Sequence, residues 1–202
     1  MSIAAVVFDV GNVLFPWSPR LLYERLIDDD RALDAFLRDV VTEAWHFQHD
    51  VGRPFAESSA ELIALHPQHA ALIMAWGERF SDSIGPALPG MAELVADLDA
   101  AGVPLFGITN FSGEFWVPFR AREQAIFDRF RDIVVSGDER LVKPDPAIYA
   151  LAIDRFGLPA EQMIFIDDRL DNVEGARFAG MHTHHFAGAA PLRAELAGHG
   201  LL

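Results

Sequence analysis

Short apolar runs alternate with longer segments of helical periodicity along this chain. The apolar runs lie at residues 3–8, 103–108, 133–135 and 163–166, and a weaker one lies near 181–186. Short continuous runs bounded by turn-forming residues are typical of strands that are buried on both faces. Apolar residues at helical spacing occupy residues 91–101, 147–156 and 173–179. Each of these three segments stops at a glycine, which is a common signal for the end of a helix.

The order of these elements predicts the fold class. Strands that alternate with helices favour right-handed crossovers and a mostly parallel sheet, so we expect an α/β fold with a Rossmann-like, doubly wound core. About ninety residues separate the first two strands, far more than a crossover of a dozen or more residues needs. Their pattern is mostly helical. We therefore expect an inserted all-helical cap at residues 16–85 and a catalytic core formed by residues 1–15 and 86–202.

The composition indicates which binding partners and which cellular compartment to expect. The chain of 202 residues carries 30 acidic and 16 basic residues, a formal net charge of −14. A surface this negative repels phosphate backbones and anionic lipid headgroups, so we expect no nucleic-acid partner and no membrane partner. The absence of cysteine excludes disulfides, thiolate metal sites and a cysteine nucleophile. With no basic leader and no long apolar segment, we expect a cytoplasmic protein whose oligomeric state the sequence leaves open.

Chemistry-bearing residues follow the apolar runs, at the strand ends where open α/β sheets bind ligands. These residues are Asp9, Thr109-Asn110, Asp167-Asp168 and, after the third run, Ser136, which leads towards Lys143. Carboxylates that converge at one edge repel one another unless a hard cation lies between them, and oxygen ligands favour magnesium. Lys143, the only lysine in the sequence, adds a compact positive charge. Together they predict a magnesium ion beside an anion site, and phosphate is the anion that such a site suits.

Four segments in this order resemble the four motifs of the haloacid dehalogenase (HAD) superfamily. They are residues 8–14 (Phe-Asp-Val-Gly-Asn-Val-Leu), 108–110 (Ile-Thr-Asn), 143–149 (Lys-Pro-Asp-Pro-Ala-Ile-Tyr) and 165–168 (Phe-Ile-Asp-Asp), the last followed by 172–176 (Asn-Val-Glu-Gly-Ala). The resemblance covers nearly all of residues 1–15 and 86–202. The Asp-x-Gly-Asn opening and the Asp-Asp pair are most similar to a bacterial subgroup of phosphatases that includes a glucose-1-phosphate phosphatase.

The resemblance implies a nucleophile and a metal site. Asp9 would be the nucleophile that forms an aspartyl-phosphate intermediate. Asp168 would hold Mg²⁺ together with the side chain of Asp9 and the backbone carbonyl of Gly11. Asp167 and Asn172 would lie behind these ligands and orient them and the metal's waters. The alternative, in which Asp167 is the direct ligand, stays open.

The resemblance also implies a phosphate-binding set. Thr109 and the amide of Asn110 would bond phosphate oxygens. Lys143 would neutralise both the transferring group and Asp9, so it would serve in binding and in catalysis. The expected partner is therefore a small-molecule phosphate ester.

The main departure from the family pattern lies at Gly11. Most phosphatases of the family carry a second aspartate here, where it protonates the leaving oxygen and then activates water, and glycine does neither. General acid and base catalysis contributes about 10²–10⁴ in rate. Three outcomes stay open: a substrate with a good leaving group, an acid supplied by the cap, or a weakly active or inactive protein. His46, His49 and Asp50 either enter the site from the cap or line a helix end.

The leading expectation is a magnesium-dependent phosphatase that hydrolyses a small phosphorylated metabolite, with sugar phosphates first among the substrates by resemblance. One alternative is a metal-free 2-haloacid dehalogenase, in which Asp9 attacks carbon. It fits less well, because dehalogenases of the superfamily carry serine and asparagine where this chain has Asp167-Asp168. The other alternative is a phosphate-binding pseudo-enzyme, which the glycine at position 11 motivates.

Aromatic and histidine clusters complete the list of candidates. An aromatic group flanks the site motifs and either shapes a substrate pocket or packs in the core; it consists of Phe15, Trp17, Phe111, Phe115 and Trp116. A histidine group lies on or beside a predicted edge strand, where we expect a structural role; it consists of His182, His184 and His185.

Overall fold

The computed structural model describes residues 2–202 and has a five-stranded parallel sheet at its centre. The strands are β1 (Ala5–Phe8), β2 (Leu105–Thr109), β3 (Asp132–Val135), β4 (Met163–Asp167) and β5 (His182–His185). Their order across the sheet is β3-β2-β1-β4-β5, and all neighbours are parallel. Because the chain crosses from β1 first to one side and later to the other, a crevice opens at the carboxyl end of β1. The predicted doubly wound α/β fold is confirmed.

Helices cover the sheet and fill the long connection after β1. The helices are α1 (Pro19–Tyr23), α2 (Asp30–Asp39), α3 (Glu43–Asp50), α4 (Phe55–Leu65), α5 (Ala70–Arg79), α6 (Met91–Ala100), α7 (Gly113–Arg122), α8 (Gln124–Phe127), α9 (Ser136–Glu139), α10 (Pro146–Phe156), α11 (Leu170–Phe178) and α12 (Ala189–Gly198). Helices α1–α5 lie within the predicted insertion. The division into a core and a cap at residues 15/16 and 85/86 stays a prediction.

Strand β1 shows why the central strands read as unbroken apolar runs. Val6 and Phe8 face one hydrophobic cluster, whereas Ala5 and Val7 face a second cluster on the opposite side of the sheet. All four residues are fully buried, because alternate side chains of a strand point to opposite faces and helices cover both. The packed sheet therefore fixes the positions of the residues at its carboxyl edge.

Some element boundaries differ from the sequence-based predictions. Strand β2 begins at Leu105 rather than 103, after Pro104, which has no N–H for a ladder and pairs only through its carbonyl with the N–H of Val6. Helix α11 begins at Leu170 rather than 173. The apolar pattern did not indicate its first turn, because the side chain of Leu170 is exposed and does not mark a buried face. Helix α7 carries a proline, Pro118, and its residues show no periodicity that predicts a helix.

The turn after α3 lies directly against the core. Gly52 has φ +86°, and a Cβ there would come within 2.6 Å of the Gly137 carbonyl oxygen. A Cβ at Gly137 would in turn come within 2.5 Å of the Gly113 backbone nitrogen. Only glycine permits backbone approaches this close, so these positions fix the carboxyl end of α3 beside the sheet edge. Across residues 2–202, every helix falls short of the length and apolar character that crossing a membrane requires.

Candidate active site

The predicted site residues lie at the carboxyl edge of the three central strands. Asp9 follows β1 directly, Thr109 ends β2 and Asp167 ends β4. Since β1 pairs with both β2 and β4 in parallel register, the three strand ends are neighbours. Asn110 and Asp168 extend from the same edge.

Lys143 connects the carboxylates of two strands. Its Nζ lies 2.8 Å from Asp9 Oδ1 and 2.7 Å from Asp167 Oδ2, and the lysine is only 3% exposed. Burial lowers the pKa of Lys143, but the charges of Asp167 and Asp9 outweigh burial and raise the pKa above its ordinary value. The ammonium is therefore charged and held between the two carboxylates, which is the environment that a compact cation suits better than a planar guanidinium.

Asp167 is fully buried and has donors on both oxygens. Besides Lys143, the side-chain amide of Asn172 donates to both oxygens at 3.1 Å, and the backbone N–H of Arg169 donates to Oδ1 at 2.8 Å. Asp168, in contrast, is half-buried and lines the cavity above the sheet edge. The geometry therefore gives the two adjacent aspartates different surroundings, with Asp167 facing Lys143 and Asp168 facing the open site.

Three carboxylates form a candidate cation site. Oxygens of Asp9, Asp167 and Asp168 lie within 4.8 Å of one another. Burial raises the pKa of Asp9 to about 7, with a further rise from Asp167 that Lys143 opposes, while the N–H of Val10 donates to Asp9 Oδ1 at 2.7 Å. Burial and the charge of Asp167 also raise the pKa of Asp168. With three carboxylates and one lysine, the cluster fits a hard divalent cation held by oxygen ligands.

Asn110 holds the loop that carries Lys143. Its side-chain Nδ2 donates to the Lys143 carbonyl at 3.0 Å, and the Lys143 N–H donates to Asn110 Oδ1 at 2.8 Å. Thr109 is buried below this loop and is not among the residues that line the cavity. The phosphate-binding roles expected for Thr109 and for the Asn110 amide stay predictions, whereas the side chain of Asn110 positions Lys143.

A cavity of about 650 Å³ opens above the sheet edge and reaches from Asp9 to α3. Of the aromatic candidates, Phe15, Trp17 and Phe111 line it, whereas Phe115 and Trp116 are buried in the core outside it. Further apolar residues line the same space: Val10, Phe47, Phe80, Ile84 and Phe119. The cavity therefore has a charged floor at the strand ends and largely aromatic walls.

The insertion contributes His46 and Asp50 to this cavity, both from α3. The centroid of the His46 ring lies 4.8 Å from that of Trp17, with the rings tilted by 30°, and its Nε2 lies 3.4 Å from Asp50 Oδ2. Burial lowers the pKa of His46 to about 3 and raises that of Asp50 to about 8, which favours the neutral form of both groups near pH 7. His49 points elsewhere, toward the Ser58 hydroxyl at 2.7 Å.

Among the described residues, the candidate cation group consists of Asp9, Asp167 and Asp168 and includes none of the three histidines of the edge strand. His184 pairs with Glu195 of α12. His185 Nε2 lies 2.9 Å from the backbone carbonyl oxygen of Asp168, so this ring supports the loop that carries that aspartate. The sequence pattern gave no indication of this contact.

Ser136 directly follows β3, at the sheet edge where the sequence placed it, but its contacts were not predicted. Its hydroxyl accepts from the Phe111 N–H at 2.9 Å and donates to the Asp50 carbonyl at 2.6 Å. The serine therefore joins α3 of the insertion to the loop after β2. Its position after a buried strand was the available signal.

Residues 3–180 match the model of a family described as haloacid dehalogenase-like hydrolases. The chain belongs to this family. It is therefore a HAD-like hydrolase, as the four motifs predicted, and the cluster of Asp9, Lys143, Asp167 and Asp168 lies where those motifs meet. The narrower resemblance, to the subgroup that includes a glucose-1-phosphate phosphatase, stays a prediction.

Individual relatives of this HAD-like chain differ in length. Acyl-CoA dehydrogenase family member 10 of Mus musculus is 26% identical over 90% of this chain, which spans only 18% of that protein. A sesquiterpene phosphatase of Aspergillus oryzae is 25% identical over 95% of this chain and 94% of that protein. A HAD family enzyme of Bacteroides thetaiotaomicron, solved with magnesium and inorganic phosphate, has a TM-score of 0.71 at 18% identity, covering 92% of this chain and 95% of that one.

Proposed function

We propose that this protein is a magnesium-dependent phosphatase that hydrolyses a small phosphorylated metabolite through an aspartyl-phosphate on Asp9. The observation that carries the proposal is the contact between Asp9 and the buried Lys143, at 2.8 Å, inside a cluster of three carboxylates. A carboxylate nucleophile needs cations that screen it from an anionic substrate. The sesquiterpene phosphatase of Aspergillus oryzae, which aligns over nearly its whole length, supports the same reaction.

The residues of the site divide into three tasks. Asp9 attacks phosphorus, and Lys143 neutralises both Asp9 and the transferring phosphoryl group. Asp167, with Asn172 behind it, holds the Lys143 ammonium in place. Asp168 and Asp9, with the Gly11 carbonyl, would hold Mg²⁺, which when bound supplies positive charge that keeps the carboxylates ionised and offsets the charge of the phosphate.

A metal-free dehalogenase fits these residues less well. A dehalogenase substrate is a small haloacid whose carbon accepts the nucleophile, so its site has no use for further carboxylates. Three buried or half-buried carboxylates beside one lysine leave an excess of negative charge, and that excess is costly without a cation. The carboxylate cluster therefore favours phosphate transfer.

Release of inorganic phosphate from a panel of phosphate monoesters, sugar phosphates included, tests the proposal. The panel is measured with magnesium and with EDTA. We expect magnesium-dependent release from at least one metabolite in the panel. Well-folded protein that releases phosphate from none of them, p-nitrophenyl phosphate included, would contradict the proposal and favour a binding protein.

A further inference from the structure

An alcohol that leaves phosphorus needs a proton, and the residue two positions after the nucleophile Asp9 cannot provide one. Gly11 has no side chain, and a Cβ built there would meet no atom within 4 Å. The space beside the nucleophile is therefore open. If the proposed phosphatase reaction is correct, either the leaving group departs without help or another residue protonates it.

Titratable residues that line the cavity are few enough to compare one by one. They are Asp9, Glu43, His46, Asp50, Lys143, Asp168, Arg169 and Asp171. The site already uses Asp9, Lys143 and Asp168. Glu43, Arg169 and Asp171 are exposed, and Arg169 is paired with Asp171 at 2.9 Å. The two buried groups that remain are His46 and Asp50.

Asp50 is a buried carboxyl group with one oxygen free to bind a ligand. Its carboxyl group is buried and lines the same cavity as Asp9, and its Oδ1 has no hydrogen-bond partner among the described residues. The other oxygen, Oδ2, faces His46 Nε2 at 3.4 Å. An unpartnered oxygen on a buried carboxyl group is costly, so its retention in the cavity that Asp9 also lines points to a partner that arrives with the substrate.

The charges around Asp50 support a neutral acid. Burial is the main cause of its raised pKa, and Asp9, at the end of β1, raises it further. Lys143 and the N–H of Ser112, from the loops after β3 and β2, oppose this rise without cancelling it. His46, on the same helix, is neutral.

We propose that Asp50 is the general acid of this site and protonates the oxygen of the leaving group. As an oxygen of Asp9 bonds to phosphorus, the ester P–O bond breaks, its electron pair stays on the leaving oxygen, and the Asp50 proton moves to that oxygen. In the second step, water bonds to phosphorus, the bond between phosphorus and Asp9 breaks, and the proton of water returns to Asp50. The products are an alcohol and inorganic phosphate, and both aspartates return to their starting states.

The backbone around Asp50 is fixed for this role. Ser136 donates to the Asp50 carbonyl at 2.6 Å, and the Gly52 turn lies against the Gly137 backbone. These contacts therefore fix Asp50, which lies on the insertion, relative to the segments that follow β2 and β3. A mobile acid would lose part of its effect, since general acid catalysis requires hydrogen-bond reach of the leaving oxygen.

A leaving-group series tests this proposal. The substrates are phenyl phosphates whose ring substituents range from p-nitro to p-methoxy, so that size stays nearly constant while the basicity of the leaving phenoxide rises. The parameter is kcat/KM, which contains the steps up to departure of the phenol. The variants are Asp50→Asn and, as a matched control with the same chemical change on the insertion, Asp39→Asn, which is exposed and outside the cavity.

We expect the wild type and Asp39→Asn to show a shallow dependence on the basicity of the leaving group. Asp50→Asn should lose less than about 3-fold with p-nitrophenyl phosphate and about 10²–10⁴-fold with the most basic leaving group. A loss of equal size across the series would reduce Asp50 to a structural role and overturn the proposal. A steep dependence in the wild type itself would also overturn it, and that readout needs no variant to fold.

The same series separates this proposal from the proposed function. Hydrolysis of p-nitrophenyl phosphate by the wild type and by Asp50→Asn, with parallel dependence on the leaving group, would refute Asp50 as the acid and leave the phosphatase intact. Hydrolysis of no member of the series by the wild type would refute both.

Discussion

Asparagine at position 167 or at position 168 would separate the residue that holds Lys143 from the residue that binds magnesium. The two aspartates are adjacent, and both changes are isosteric, so each variant is the control for the other. Asp167 is fully buried with donors on both oxygens, whereas Asp168 is half-buried and faces the cavity. We therefore expect the two changes to differ in their effects on stability and on metal binding.

The magnitude for Asp167→Asn follows from its contacts. In the wild type, the Lys143 ammonium lies 2.7 Å from a carboxylate oxygen of Asp167. An asparagine at position 167 places either its amide nitrogen or its neutral carbonyl oxygen against this ammonium. A hydrogen bond to a charged group contributes about 1.5–3 kcal/mol, and the loss of repulsion with Asp9 offsets part of this. We expect the free energy of unfolding of the metal-free protein to fall by about 1–2 kcal/mol, as urea denaturation would measure.

Metal binding gives the second half of the comparison, by isothermal titration calorimetry with Mg²⁺. Asp168→Asn should abolish measurable binding while leaving the metal-free stability nearly unchanged, because it removes a carboxylate from a crowded negative cluster. Asp167→Asn should weaken binding by no more than the about 10- to 100-fold that is typical of groups behind a metal's ligands. Loss of Mg²⁺ binding in Asp167→Asn together with its retention in Asp168→Asn would refute the reasoning and make Asp167 the ligand.

Three smaller predictions concern stability. Gly137→Ala should lower the free energy of unfolding by about 1–3 kcal/mol, because its Cβ would meet backbone atoms of Gly113 and Phe111; Gly198→Ala, with open space around it, should not. Tyr149→Phe should cost about 1 kcal/mol, since it removes a buried 2.8 Å hydrogen bond to the Asn172 carbonyl. Magnesium at a concentration about 100 times its Kd should raise the free energy of unfolding by about 2.7 kcal/mol. Urea denaturation measures all three effects. A free energy of unfolding that magnesium leaves unchanged would contradict a magnesium site.

The sheet and its reactive edge were predictable from the sequence for a physical reason. A parallel strand covered on both faces needs a continuous apolar run, and the polar residue that ends the run then lies at the carboxyl edge. Asp9 and Asp167 both follow this rule, and the register of β1 with β4 brings them to opposite sides of Lys143.

Contacts between loops were not predictable in the same way. The hydrogen bond from Asn110 to Lys143 joins residues that are 33 positions apart, and the hydrogen bond from Ser136 to Asp50 joins residues that are 86 positions apart. Both depend on the path of irregular backbone, which hydrophobic periodicity does not encode. The different surroundings of Asp167 and Asp168 are a further example, because Asp168 lies beyond the end of β4, where the direction of a side chain depends on the path of the loop.

The most direct test of the account is phosphate release from p-nitrophenyl phosphate by the wild type and by Asp9→Asn, each with magnesium and with EDTA. This ester has a good leaving group, so its hydrolysis depends on the nucleophile and the metal rather than on a general acid. We expect release by the wild type that requires magnesium, and none by a folded Asp9→Asn variant under either condition. Magnesium-independent release, or release that persists in Asp9→Asn, would contradict it.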